Sequence, residues 1–413
     1  MKQTTLAILV GGGPAPGING VIGSAALAAL EAGLRPIGIY EGYRHLATGD
    51  ISQVVELARD DVARIHLTGG SILRTSRTNP ARDEATLART IESLERLDVR
   101  YLVCIGGDDT TYGAMRIAER TRGRIGVVSI PKTIDNDLPL PENAPTFGYE
   151  TARALGAQIV ENLLEDARTT GRWYLCVSMG RTSGALALGM CMGAGAQLAV
   201  IPEELPATGR LARVVDTIVG AIVKRRVAGC IDGVAVVGEG IAEGLGEEEL
   251  VGIDGLARDT YGHVRLADIP IGTILRDRVR ARLREIGVAA DVVAKDIGYE
   301  LRCAKPSSFD VEYTRKLGYG AVGALVRGET GALIALAGGR ATPVELDGLI
   351  DPQTGRMRVR RIDVASDSYA VARATMTRLD ARDLSEPRLA ELAAQTNLTP
   401  DAFAATFAPL TEE

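Results

Sequence analysis

Between Tyr101 and Asp137 the chain switches twice from a short apolar run to a cluster of glycines and charged residues, and this narrows what it can fold into. Tyr101 to Ile105, bounded by Gly106-Gly107, reads as a buried parallel strand. Asp108, Asp109 and Thr110 follow, and Thr111 to Arg120 reads as a helix with Tyr112, Met115, Ile117 and Ala118 on one side. Gly126 to Ile130 is a second such strand, stopped by Pro131. Lys132, Thr133, Asp135, Asn136 and Asp137 then crowd into one loop. A strand ending in glycines just before a helix gathers backbone N–H groups and the positive helix end at one point, which attracts phosphate. Asp108 beside that point is a candidate Mg²⁺ ligand, since Mg²⁺ is normally held by one or two carboxylates plus substrate phosphates. Loops at strand carboxyl ends are where open α/β sheets bind ligands. A metal-binding acid in one loop and a candidate base in the next fit phosphoryl transfer.

The same alternation continues along the chain. Leu6 to Val10 ends in GGGPAPGING before a helix over Ile18 to Ala32; the loop lacks the Lys-Ser/Thr ending of a Walker loop. Arg35 to Tyr40 is a strand, Gly69 to Pro80 a Gly- and Arg-bearing loop, and Asp83 to Leu97 a helix. Arg74 and Arg77 in that loop are candidate phosphate clamps, the other reading of either being a solvated loop arginine. Thr146 to Arg168 reads as a long helix, Trp173 to Met179 as a strand, Gly209 to Arg226 as a helix and Val234 to Val237 as a strand. Glu239 closes the last of these, with Glu203 and Glu204 a rival pair at another strand end. His263 to Ile269 reads as a short hairpin or edge strand, Ile274 to Ile286 as an Arg-rich helix with a solvated face, Ser307 to Arg327 as a helix and Leu333 to Leu336 as a strand. At 413 residues the chain exceeds one ordinary core. The expected fold class is therefore α/β, with two doubly wound Rossmann-like lobes and the active site in the cleft between them. The expected division is 1–145, 146–345 with some segments returning to the first lobe, and a C-terminal extension over 346–413.

Composition excludes several function classes. Net charge is −6 and no Lys/Arg run appears, which argues against a nucleic-acid partner. The five cysteines are scattered without a CxxC pair, as expected of thiols in a reducing cytoplasm. None of the three histidines lies in a candidate motif, so histidine base or zinc chemistry is not expected. The apolar run after Lys2 is too short for a signal peptide. Ser183 to Pro202 carries no charge, but its Gly and Ala content and Gln197 favour a buried helix–strand pair over a membrane span.

GGDDT followed by PKTIDND resembles the phosphofructokinase superfamily. The first loop supports this, with Gly12, Gly13, Pro16, Gly17 and Asn19 matching the family's G-G-x-x-P-G-x-N, although Pro14 stands where many ATP-using members have Asp. The resemblance runs over roughly residues 4 to 340. Asp109 and Lys132 resemble the pyrophosphate-dependent branch; ATP-using members typically have Gly and a small residue there. The Y-x-x-R of Tyr299 and Arg302 points the same way, since ATP users usually carry His at the first of these positions.

The resemblance implies a Mg²⁺-dependent transfer from pyrophosphate to fructose 6-phosphate. It implies Asp135 as general base, Lys132 steadying the leaving phosphate, Asp109 excluding ATP, and Asp108 holding Mg²⁺. Gly12, Gly107 and Arg77 would seat the donor. Thr133, Ile134, Asp135, Met179, Gly180, Arg181, Glu239, Tyr299 and Arg302 would hold the sugar phosphate, with Arg172 reaching it across a subunit interface of a homo-oligomer, dimer or tetramer. An ATP-dependent enzyme on the same fold and a non-catalytic sugar-phosphate sensor are the alternatives. Beyond about residue 345 the resemblance fades. Asp351 to Arg361 reads as a polar turn and the last thirty or so residues as one or two peripheral helices.

Overall fold

The structure, a computed structural model, describes residues 3–206, 208–245, 269–345, 349 and 357–411. In chain order the strands are β1 Thr5–Val10, β2 Arg35–Ile39, β3 Val54–Glu56, β4 Val99–Gly106, β5 Gly126–Pro131, β6 Arg172–Ser178, β7 Leu198–Val200, β8 Gly233–Gly238, β9 Asp291–Ile297, β10 Ala332–Ala337 and β11 Arg340–Glu345. The α-helices are α1 Ile18–Glu31, α2 Arg59–Val62, α3 Glu84–Arg96, α4 Asp108–Thr121, α5 Tyr149–Thr170, α6 Ala185–Ala194, α7 Arg210–Val227, α8 Ile271–Glu285, α9 Tyr299–Arg302, α10 Ser308–Val326, α11 Asp367–Thr375, α12 Arg388–Ala393 and α13 Pro400–Phe407. They form two compact units, Met1–Ala152 with Tyr299–Arg360, and Arg153–Gly298 with Arg361–Glu413.

In the first unit, period-2 side chains sort a near-continuous apolar strand between two cores. Leu6, Ile8 and Val10 of β1 pack with Val21 and Ala25 of α1 and Leu317 and Ala321 of α10. Ala7 and Leu9 pack with Leu87 and Ile91 of α3 and Ala114 and Ile117 of α4. The seven-stranded sheet has the order β11-β10-β5-β4-β1-β2-β3. β1 pairs parallel with both β2 and β4, and β4 with β5. The chain leaves β1 toward β2 and returns on its other side at β4, so the loops after β1 and β4 diverge at a topological switch point. That is where the first glycine loop and the Gly106-Gly107 turn lie.

Residues 299–345 are the segment of 146–345 that returns to this unit. The cause is a long-range pairing, Ala332 of β10 with Val128 of β5, which local pattern does not encode. β11, carrying Pro343, adds an antiparallel edge where proline is tolerated and was not apparent from the sequence. α4 starts at Asp108, three residues before the expected Thr111, because Gly107 is extended and accepts the Thr111 N–H at 3.0 Å. Asp108 and Asp109 thus occupy the first helical turn, where carboxylates are favoured.

The second unit holds an all-parallel sheet of order β7-β8-β6-β9. Trp173, Leu175 and Val177 of β6 share a core with Val214 and Ile218 of α7 and Leu275 and Val279 of α8. The C-terminal helices are not peripheral, contrary to the sequence expectation. Phe403 and Phe407 of α13 are fully buried in that core, their rings 4.6 Å apart, beside Leu389 and Leu392 of α12. Alternating acidic and apolar residues there encode amphipathic helices with a core-facing side. The expected hairpin over His263–Ile269 lies, up to Asp268, outside the described residues. No helix of the described residues is long and apolar enough to cross a membrane. Cys104, Cys176 and Cys191 are buried, and burial pushes each thiol up to about 12.

Candidate active site

In the first unit the carboxyl ends of β1, β4 and β5 converge on a glycine-walled cradle. Gly12 has φ +79, donates its N–H to Ser76 O at 2.8 Å, and accepts from Thr75 Oγ1 at 2.5 Å. A Cβ added to Gly12 would lie 3.4 Å from Lys132 Nζ and 3.9 Å from the Gly107 nitrogen, so three loops come together here. A Cβ on Gly13 would fall 1.9 Å from Arg302 Nη2. Only glycine lets that guanidinium from α9 lie against the loop backbone. Lys132 Nζ donates to the Gly13 carbonyl. Asp109, in the first turn of α4, is exposed, and Asp108 is half-buried.

Lys132 is only 5% exposed. Burial pulls its pKa down to about 8, and the nearby Arg302 and Arg77 charges push the same way. Asp135 and Asp137 oppose the shift. Three cations and two carboxylates therefore share one field, and the crowded cations fit an anionic ligand. The loop arginines part company here. Arg77 acts on Lys132, whereas Arg74 pairs with Glu41 at 3.1 Å and lies over the Tyr40 ring.

Asp135 and Asp137 are 8% and 6% exposed, with Ile134 buried beside them. The Asp135 N–H donates to Thr133 Oγ1 at 3.0 Å. Thr146 ties the loop's far end back, its hydroxyl donating to Thr133 O at 2.8 Å and its N–H to Asn136 Oδ1 at 3.1 Å. Sequence reasoning missed Arg360. Its Nε donates to Asn136 O at 3.0 Å, its Nη1 to Ala144 O at 2.9 Å, and its Nη2 to Asn136 Oδ1. One arginine in a polar, turn-like stretch carries no local signal of such a role.

In the second unit, adjacent strand ends bring Glu239 to the Met179–Gly180–Arg181 turn. Glu239 Oε1 accepts the N–H groups of Gly180 at 3.0 Å and Arg181 at 2.8 Å, with Arg181 left-handed at φ +52. The rival acids are engaged elsewhere. Glu203 accepts from the N–H groups of Gly184 (2.9 Å) and Ile362 (3.1 Å). Glu204 pairs with Arg378 at 2.8 Å and accepts from the Tyr369 hydroxyl. Arg172 opens β6 with Nε 3.6 Å from Asp291 Oδ2 of β9. Tyr299 and Arg302 belong to the first unit; Tyr299 is 79% exposed, with the Arg302 guanidinium 5.4 Å from its ring centroid.

Among the described residues no group of three or more His, Cys, Asp or Glu could hold a metal by itself. Asp108 beside the cradle fits Mg²⁺, for which one carboxylate suffices when substrate phosphates supply further oxygens.

Comparison with known proteins agrees with this geometry. The family model for phosphofructokinase matches residues 5–325. A Thermotoga maritima protein named pyrophosphate–fructose 6-phosphate 1-phosphotransferase is 51% identical over 387 residues, covering 92% of each chain. One of the same name from Naegleria fowleri is 45% identical over 414 residues, covering 98% of this chain and 95% of its own. The crystal structure of a pyrophosphate-dependent phosphofructokinase from Nitrosospira multiformis superposes with TM-score 0.67 at 17% identity, over 92% of this chain and 93% of that one, a likeness of fold. With its glycine-walled cation cradle, and with relatives matching along nearly its whole length, the chain belongs to the phosphofructokinase family.

Proposed function

We propose that this chain is a pyrophosphate–fructose 6-phosphate 1-phosphotransferase, transferring a phosphoryl group reversibly from pyrophosphate to the sugar 1-hydroxyl. The observation that carries the reading is Lys132, a buried ammonium on the Gly13 carbonyl with Arg302 and Arg77 in its field. Such a site, short of negative charge, suits a compact polyanion. The names of the Thermotoga maritima and Naegleria fowleri relatives support pyrophosphate as that donor.

Asp135 accepts the proton of the sugar 1-hydroxyl as its oxygen attacks the β-phosphorus, and the bridging P–O bond breaks to release phosphate. Lys132 stabilises the charge that builds on the departing phosphate. Gly12, Gly107 and Arg77 bind the donor. Enzymes of this family generally use Mg²⁺; held by Asp108 and the donor oxygens, it would neutralise phosphate charge. Asp109, exposed in the first turn of α4, repels the additional phosphate of a nucleotide.

On the acceptor side, Thr133, Ile134, Tyr299 and Arg302 of the first unit are the proposed sugar-phosphate residues. In the second unit they are Met179, Gly180, Arg181 and Glu239, the last acting through the turn whose N–H groups it accepts. We further propose a cytoplasmic homo-oligomer in which Arg172 serves a neighbouring copy's sugar phosphate.

The test is initial rates with fructose 6-phosphate and Mg²⁺, comparing pyrophosphate with ATP at matched concentrations. Rapid turnover with pyrophosphate and little with ATP is expected. Preference for ATP would sink the donor assignment, and silence with both would sink the enzymatic reading.

A further inference from the structure

The loop that bears Asp135 and Asp137 is tied from within by Thr133 and Thr146, and a second set of bonds reaches it from outside. Asn136, between the two acids, is left-handed at φ +55, a conformation Asn tolerates but does not prefer. Pro139, Pro141 and Pro145 remove backbone donors from the stretch that follows. Beyond the Thr146 bonds, a further closure comes from a distant part of the chain. The Arg360 guanidinium bridges Asn136 O (3.0 Å), Asn136 Oδ1 and Ala144 O (2.9 Å), and its own backbone N–H donates to Asp137 O at 2.7 Å. Both ends of the loop are thus pinned by one residue.

The brace is itself anchored independently of its charge. Arg358 donates its N–H to Leu349 O at 2.7 Å. Leu349 and Met357 are buried with Leu138, Leu140, Leu333 and Ala335. The backbone at 357–360 is therefore held by packing, and the guanidinium is left to hold the loop. A planar fork with several N–H groups can meet these separate acceptors at once, whereas an ammonium is a point donor on a flexible stem.

We propose that Arg360 is a positioning residue for phosphoryl transfer: by clamping Asn136 to Ala144 it fixes the backbone on which Asp135 and Asp137 are carried. This rests on the reading of Asp135 as the base. It assigns a catalytic support to a segment beyond residue 325, where the match to the family model ends. Arg360 touches no reacting atom; it acts through Asn136 and the Asp137 backbone.

The experiment uses the full chain and three variants: R360K, R360A, and R361A as an exposed neighbour outside the loop. For R360K, kcat should fall roughly 10- to 100-fold with KM for pyrophosphate changed less than about threefold, the signature of a displaced reacting group rather than a lost binding contact. Its thermal midpoint should stay close to wild type. R361A should leave kcat unchanged.

Hydrogen exchange supplies a second readout that needs no substrate. Amides over 133–146 should exchange about tenfold faster or more in R360K and R360A, while those of β1 and β4 stay as in wild type. Unchanged loop exchange overturns the proposal. So does an R360K enzyme with wild-type kcat, or one whose loss of rate merely tracks a loss of folded protein. If wild type uses ATP instead of pyrophosphate, the donor reading fails, and the same loss of kcat is then expected with ATP.

Discussion

Lys132 combines a proposed catalytic charge with a cost to folding, and the two can be separated by one substitution. Burial, chiefly, brings its pKa from 10.5 down to about 8. Because the folded-state value is the lower one, the unfolded chain binds more protons between about pH 8 and 10.5, and stability rises with pH across that window. Below about pH 8 the buried ammonium imposes its full penalty; above about pH 10.5 the penalty is gone. A depression of this size corresponds to about 3 kcal/mol. Lys132→Met keeps the length and apolar stem, removes the charge, and forfeits the bond to Gly13 O, worth about 1 kcal/mol. The variant should therefore be about 1–2 kcal/mol more stable than wild type at pH 7, with most of that advantage lost by pH 9.5 to 10. Its kcat with pyrophosphate should drop by roughly 10²- to 10³-fold, the scale of losing one transition-state donor. The assay is urea unfolding followed by far-UV circular dichroism at both pH values, with initial rates in parallel. Fluorescence would mislead, because Trp173 lies in the other unit. An identical pH slope for the two proteins would refute the buried-charge argument. A stabilised variant that retained full activity would refute the role of the charge.

Two further outcomes are expected. Asp109→Gly should admit ATP as donor and weaken pyrophosphate use, at a cost of roughly 1 kcal/mol for a glycine replacing a carboxylate in the first turn of α4; competition kinetics with both donors would show it, and a variant still unable to use ATP would count against charge exclusion. Phe403→Ala should destabilise the second unit by about 3–5 kcal/mol, because the ring is fully buried. Trp173 belongs to the same core, so its fluorescence transition in urea should move to lower concentration; an unmoved transition would mean that the C-terminal helices do not support that core.

What the sequence disclosed about this protein, and what it withheld, follows from how far apart the interacting residues lie. The cradle was legible because its parts are local. Each part is a buried strand followed at once by a glycine or charged loop, at Gly12, Gly107 and Lys132, and parallel pairing of β1, β4 and β5 brings the three together. Glu239 is singled out in the sequence by the resemblance alone, since Glu203 and Glu204 close a strand as well. What the sequence does not show is which backbone N–H groups each accepts, the Gly180–Arg181 turn for Glu239 and the Gly184 and Ile362 amides for Glu203. Which segments return to the first unit was not legible for a related reason. Residues 299–345 join the first unit through β10 pairing with β5, and Phe403 and Phe407 join the second through packing, neither written in periodicity. Arg360 is the extreme case, 224 residues from the Asn136 it holds. A residue so distant leaves no motif, because nothing in its own neighbourhood needs to be special. The motif names the carboxylates, but the backbone that carries them is set by a side chain the motif does not contain. For that reason a substitution at Arg360 is expected to alter turnover as surely as one within the TIDND loop itself.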